Sequence, residues 1–260
     1  MSIFDRFRLD GKRLFISGGS RGLGREMSLA LADAGADVIL VGRDADSLEQ
    51  TAGEIRQLGR QAWPLQADLG DTQQCAAVCQ TAVAELGPID ILINNVGGRR
   101  ESLATEEFPL EKWRQLMDLN LTSVFLCTKI VGGAMIGRGQ GGRIINIASI
   151  NALVVGKRIQ GRHYETAKAA IQQFTRATAV DWAPHRITVN AICPGGFMTE
   201  PNRRWSELNP EMVEGFRQEV PLGDYGQPED LGPLAVYLAS DAARYMTGAS
   251  LVIDGGYTLC

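Results

Sequence analysis

The stretch Lys12-Arg13-Leu14-Phe15-Ile16-Ser17-Gly18-Gly19-Ser20-Arg21-Gly22-Leu23-Gly24 decides the fold. Its first half is a short apolar run that reads as a buried strand. Glycines then punctuate a turn. A helical pattern follows from Leu23 to Ala34 and stops at Gly35. A glycine turn that leads a strand into a helix leaves backbone amides open at the helix N-terminus, where a dinucleotide pyrophosphate binds. A Gly cluster alone is equally an ordinary tight turn. Its place at the end of a first strand, within a strand–helix–strand unit, favours the dinucleotide reading.

Outward from that turn, strands and helices alternate. Strands are expected at 37–42, 61–66, 89–93, 143–148, 187–193 and 250–253. Helices are expected at about 46–58, 72–86, 110–136, 160–183 and 228–239. The strands are short, nearly continuous apolar runs, as strands covered on both faces should be. This order predicts an α/β, Rossmann-type, doubly wound parallel sheet of about seven strands with helices on both faces. No repeat, low-complexity tract or linker interrupts residues 1–260, which read as one domain. A polar stretch over about 199–224, punctuated by proline, reads as a mobile lid over the substrate.

Bulk composition narrows the function classes. Hydrophobic content of 45% suffices for a buried core, and a net charge of −4 gives no general pull toward nucleic acid or anionic membrane. The N-terminus, Met1-Ser2-Ile3-Phe4-Asp5-Arg6, is charged and lacks an apolar signal segment. No apolar run approaches the length of a membrane span. A cytoplasmic protein is expected. The five cysteines are 75, 79, 127, 193 and 260. Cys75 and Cys79 share a helical face, but no further Cys or His stands near them in sequence. They are expected to be buried free thiols, and no metal site is expected.

The segment Tyr164-Glu165-Thr166-Ala167-Lys168 carries the chemistry. On a helix, this spacing stacks a phenol and an ammonium one turn apart. The cation favours the phenolate and lowers the Tyr pKa from about 10, which suits a general acid or base. Five Tyr and five Lys make one such pair by chance with a probability of about 0.1, so its company decides its meaning. The cofactor choice is read at Val41-Gly42-Arg43-Asp44, the end of the second strand. An acid there would hold the ribose 2′-OH of NAD. Gly42 stands in that slot, and Arg43 follows it. Arg21 in the glycine turn adds a second guanidinium. Two such groups suit a 2′-phosphate, so NADP(H) is expected in preference to NAD(H). Asp44 is placed to neutralise Arg43.

The chain resembles the short-chain dehydrogenase/reductase family nearly end to end. The ordered motifs are Ser17-Gly18-Gly19-Ser20-Arg21-Gly22-Leu23-Gly24, Asp68-Leu69, Asn94-Asn95-Val96-Gly97, Asn120, Ser149, Tyr164 with Lys168, Pro194-Gly195 with Thr199, and Asp254-Gly255-Gly256. Val96 stands where the family commonly has Ala, and the interval from Ser149 to Tyr164 is longer than usual. The resemblance implies that Tyr164 exchanges the proton with the substrate oxygen and that Ser149 polarises that oxygen. It implies that Lys168 lowers the Tyr pKa and bonds the nicotinamide ribose, and that Asn120 holds a relay water. Asp68 and Leu69 would face the adenine. Asn95, Val96 and Gly97 would line the cofactor. Pro194 through Thr199, with Gly195 and Phe197, would embrace the carboxamide.

Substrate-facing loops are basic: Arg99-Arg100, Lys157-Arg158, Arg162-His163 and Arg203-Arg204. Arg99, Arg158, His163 and Arg203 are the candidate substrate residues. The bland alternative is solvated loop charge. A basic lining favours an acidic substrate such as a keto sugar acid. Phe7-Arg8-Leu9-Asp10-Gly11-Lys12 and the general layout resemble the gluconate 5-dehydrogenase type of the family. A 3-oxoacyl thioester reductase is the rival reading, and a non-catalytic nucleotide-sensing scaffold is the alternative of another class. The resemblance also implies a homotetramer. Ala167, Ala169, Ala170, Ala177 and Ala179 offer small residues for close helix packing between copies or within the core.

Overall fold

Alternate residues of each apolar run point to opposite sides of one sheet. Leu14 and Ile16 join a core with Met27, Leu31 and Leu48. Phe15 between them joins a second core with Cys75, Val78 and Val131. Both faces are therefore covered by helices. The computed structural model describes residues 2–98, 101–156, 160 and 162–259.

The strands are β1 (Arg13–Ser17), β2 (Asp37–Gly42), β3 (Ala62–Gln66), β4 (Ile91–Asn94), β5 (Gly142–Ile147), β6 (Ile187–Pro194) and β7 (Ser250–Ile253). They form one sheet in the order β3-β2-β1-β4-β5-β6-β7, and every pairing is parallel. This is the doubly wound sheet of seven strands that the sequence predicts. The order reverses between β1 and β4, and a crevice opens at their C-terminal ends.

The helices are α1 (Gly22–Asp33), α2 (Ala45–Gln57), α3 (Thr72–Leu86), α4 (Leu110–Met117), α5 (Ser123–Cys127), α6 (Gly133–Arg138), α7 (His163–Trp182), α8 (Glu200–Leu208), α9 (Pro210–Glu219) and α10 (Gly232–Ala239). The helical run expected over 110–136 is interrupted twice. Wider π-helical turns occupy Asp118–Thr122 and Thr128–Gly132. The expectation that no stretch approaches a membrane span also needs correction. Leu110–Arg138 is long and apolar enough to cross a membrane, but half of its most apolar window is buried inside the protein. Its apolar side is used against α3 and α7.

The expected lid contains α8 and α9. Phe216 on α9 lies 4.5 Å from Tyr225 and stacks 5.0 Å from Tyr257, between ring centroids. A Cβ on Gly196 would meet the Phe216 ring at 2.5 Å. The second half of the lid is thus anchored to the end of the chain and to the loop after β6.

Candidate active site

The glycine turn is fixed by its neighbours. Asn95 Nδ2 donates to the carbonyls of Ser17 and Gly18, at 3.1 and 3.0 Å. Ser17 Oγ accepts from the backbone N–H groups of Asn95 and Val96, at 2.9 and 3.1 Å. A Cβ on Gly24 would lie 2.0 Å from the Gly18 carbonyl, so only glycine lets α1 pack onto the turn. Side-chain oxygens of Asp44 and Asp71 cap α2 and α3, while α1 has Arg21 at its N-cap and no capping side chain. Its first amides are left for an external anion.

The glycine turn and the N-terminus of α1 border a cleft of about 370 Å³. The cleft brings together every cofactor residue proposed from the sequence except Gly22. One end holds Arg21, Arg43, Asp68 and Leu69, and the other holds Ser149, Tyr164 and Lys168. Gly18, Ser20, Leu23, Gly24, Asn95, Val96, Gly97, Pro194, Gly195, Phe197 and Thr199 line its length. Gly22 borders an adjoining cavity of about 510 Å³. The cleft's shape, its uncapped helix and its two guanidinium groups at one end fit a dinucleotide with an added phosphate. Asp44 is not the partner of Arg43. Its carboxylate accepts from Ser47 N at 2.8 Å, while Arg43 Nη1 lies 4.0 Å from Asp68 in a half-exposed pair.

At the other end, Lys168 is buried and its Nζ donates to the Ile147 carbonyl at 2.7 Å. It lies 5.7 Å from the Tyr164 ring centroid. Burial lowers the Lys168 pKa from 10.5 to about 8. Ser149 caps the short turn after β5, and its Oγ accepts from Asn151 N at 3.1 Å. Asn120 is fully buried in the first π turn. Its Oδ1 accepts from Gly98 N at 2.8 Å, and its Nδ2 donates to the carbonyls of Gly98 (3.1 Å) and Leu116 (2.8 Å). Asn120 therefore fastens the loop after β4 to the helical run. A Cβ on Gly97 would meet Asn120 Oδ1 at 2.8 Å and Lys168 Nζ at 3.2 Å.

The proposed substrate residues fare differently. Arg99, Arg100, Lys157 and Arg158 lie outside the described residues. His163 is buried with its ring 4.9 Å from Phe108 and does not line the cleft. It faces the helix layer because it precedes Tyr164 by one position, about a third of a helical turn. Arg203 borders the adjoining cavity, beside Arg21 and Arg204, rather than the catalytic end. Asn202 and Leu119 also line the cleft, and no motif marks them in the sequence. Asn202 lines the cleft and donates to the Phe197 carbonyl at 2.7 Å. No spacing signal marks Leu119, which lies in the first π turn and lines the cleft.

A second polar array joins Asn94, part of a sequence motif, to three residues that no motif marks. Asn94 Nδ2 donates to Asn146 Oδ1 at 2.8 Å and Thr128 Oγ1 at 3.1 Å. Asn146 Nδ2 donates to Thr175 Oγ1 at 2.9 Å. This buried chain ties β4 and β5 to α7 behind the catalytic groups.

Comparison with known proteins agrees with this geometry. The family described as Enoyl-(Acyl carrier protein) reductase matches residues 18–258. A 2-dehydro-3-deoxy-D-gluconate 5-dehydrogenase of Dickeya dadantii is 38% identical over 98% of both chains. A crystal structure of a short-chain type dehydrogenase/reductase from Mycobacterium marinum has a TM-score of 0.90 and 40% identity, covering 100% of both chains. A gluconate 5-dehydrogenase from Burkholderia cenocepacia, solved in complex with NADP and tartrate, has a TM-score of 0.91 and 34% identity, again over 100% of both chains. Likeness of this extent, in a chain whose cleft gathers the motif residues in order, places the protein among oxidoreductases that act on alcohols and carbonyls: it belongs to the short-chain dehydrogenase/reductase family.

Proposed function

We propose that the protein is an NADP(H)-dependent oxidoreductase that interconverts a carbonyl and a secondary alcohol on a small acidic substrate of the keto sugar acid type. The observation that carries this reading is the meeting of Ser149, Tyr164 and Lys168 at one end of a dinucleotide-shaped cleft, with Arg21 and Arg43 at the other. The nicotinamide, when bound, supplies or accepts the hydride. In reduction, Ser149 and Tyr164 direct their hydroxyls at the carbonyl oxygen, which gains negative charge. Tyr164 gives that oxygen its proton. Lys168, held by the Ile147 carbonyl, keeps a positive charge beside the phenol. Oxidation runs the same groups in reverse.

The acidic substrate rests on the sugar-acid relative and on the tartrate held by the Burkholderia protein. Among the described residues, Lys168 is the one cation lining the catalytic end of the cleft. The 3-oxoacyl thioester reading draws support from the acyl-carrier description of the matching family. Parallel assays with 5-keto-gluconate and an acetoacetyl thioester decide between them. Higher kcat/KM for the sugar acid is expected, and the reverse order rejects the sugar-acid reading. NADPH is expected to exceed NADH in kcat/KM, and equal values reject the preference. Failure to turn over any of a broad carbonyl panel, with NADPH binding intact, would support the scaffold reading instead.

A further inference from the structure

Three cysteines that the reaction does not use meet in the core. Cys75 and Cys79 lie one turn apart on α3, and Cys127 at the end of α5 packs against them. Cys127 Sγ is 3.8 Å from Cys75 Sγ and 3.6 Å from Cys79 Sγ. All three sulfurs lie within 4.8 Å of one another. Each residue is at most 1% exposed. Metal–thiolate bonds of about 2.3 Å set sulfurs about 3.8 Å apart in a tetrahedral set and about 4.0 Å apart in a trigonal one. The two measured separations match those edges within a few tenths of an ångström. The surrounding side chains, including Val78, Ala82 and Val131, are apolar.

We propose that Cys75, Cys79 and Cys127 form a closed three-sulfur site for one thiophilic monovalent cation, with Cu(I) as its occupant. Soft, all-sulfur donors select Cu(I), whereas structural zinc takes four ligands. Among the described residues no fourth His, Cys, Asp or Glu joins this group. Any thiol that coordinates as thiolate releases its proton, so binding strengthens as pH rises. The ion ties α3 to the helical run that carries Asn120, and its first effect is on stability.

The test uses the full chain, reduced and kept anaerobic, titrated with Cu(I) against an excess of a chromogenic Cu(I) chelator. The expected result is one retained Cu(I) per chain, three Cu–S distances of about 2.3 Å by X-ray absorption, and a higher Tm. Cys127→Ala and, separately, Cys75→Ala should each weaken retention by more than the roughly 10- to 100-fold lost with a mere outer-shell partner. Cys193→Ala should keep the ion. Far-UV circular dichroism and NADPH binding establish that each variant is folded. If the Ala variants fail to fold, the absorption spectrum of the unaltered protein decides alone. Loss of all Cu(I) to the chelator, oxygen or nitrogen in the copper shell, or unchanged retention in the folded Ala variants overturns the site. Any of these leaves the three thiols as core packing and does not touch the dehydrogenase reading.

Discussion

Burial pulls the Lys168 ammonium from 10.5 to about 8, and the sign of that shift makes two measurements informative. Between pH 8 and 10.5 the folded chain holds fewer protons than the unfolded chain, so stability rises with pH across that window. Below pH 8 the full cost of the buried charge applies, about 3 kcal/mol for this change in pKa. Lys168→Met should therefore raise stability at pH 7 by roughly 1–3 kcal/mol in urea unfolding while abolishing turnover. For carbonyl reduction, kcat/KM of the unaltered enzyme should fall as pH rises through about 8, because the charge beside Tyr164 is lost. A flat profile to pH 10 removes Lys168 from the proton transfer. Tyr164→Phe should lower kcat by roughly 10²–10⁴-fold with NADPH affinity retained, as expected for loss of a general acid. Near-normal activity rejects that role. At this scale the sequence is most legible where a residue acts by type and spacing, as Tyr164 and Lys168 do. It is least legible where direction matters. His163 stands beside Tyr164 in sequence, yet its ring lies against Phe108. Asp44 stands beside Arg43, yet it caps α2.

Elements carry information that residue type does not. The run 110–138 has a helical apolar pattern, and nothing in that pattern marks the two π turns. A π turn changes the local period while leaving composition unchanged. The first π turn carries both Asn120, which accepts from Gly98 N, and Leu119, which lines the cleft. Gly97 lies between Asn120 and Lys168 with no room for a Cβ. Gly97→Ala should therefore push these two side chains apart and lower kcat by more than 10-fold, on the order of the loss from a 1 Å misplacement. Its unfolding midpoint should move far less than its kcat. Equal losses of stability and kcat would point to a general packing fault. The prolines and polar residues of 199–224 suggest a lid, but they give no sign of how α9 is anchored. Three aromatics separated in sequence, Phe216, Tyr225 and Tyr257, pack together, with Phe216 between the two tyrosines. In the same way Cys127 joins Cys75 and Cys79 from nearly fifty residues away, a meeting that local spacing cannot signal.

For the whole molecule, the succession of strands along the chain was legible because the apolar runs are short and all but the last are followed by a helical pattern. The sequence says less about surfaces, since exposure depends on which helix faces are left uncovered. Phe125 on α5 remains 46% exposed and Val180 on α7 75% exposed. Phe125 meets Phe174 of α7 edge-on at 6.4 Å, so the two helices share one partly apolar outer face. Of the alanines proposed for helix packing, Ala167 and Ala179 are spent in the core, while Ala169 and Ala177 stay exposed on α7. In a homotetramer the exposed pair would let a second copy approach closely, and the aromatic and branched residues would supply area to bury. We propose this face as the contact of the expected homotetramer, and sedimentation tests it. The protein, 28.2 kDa per chain, should sediment as four copies. Phe125→Asp together with Val180→Asp should shift it toward monomer, because two carboxylates per copy would be desolvated at a self-complementary contact. Both positions lie outside the cleft lining, so the dissociated variant should still bind NADPH. A monomer before mutation overturns the assembly. A tetramer that survives both substitutions moves its interface to another face.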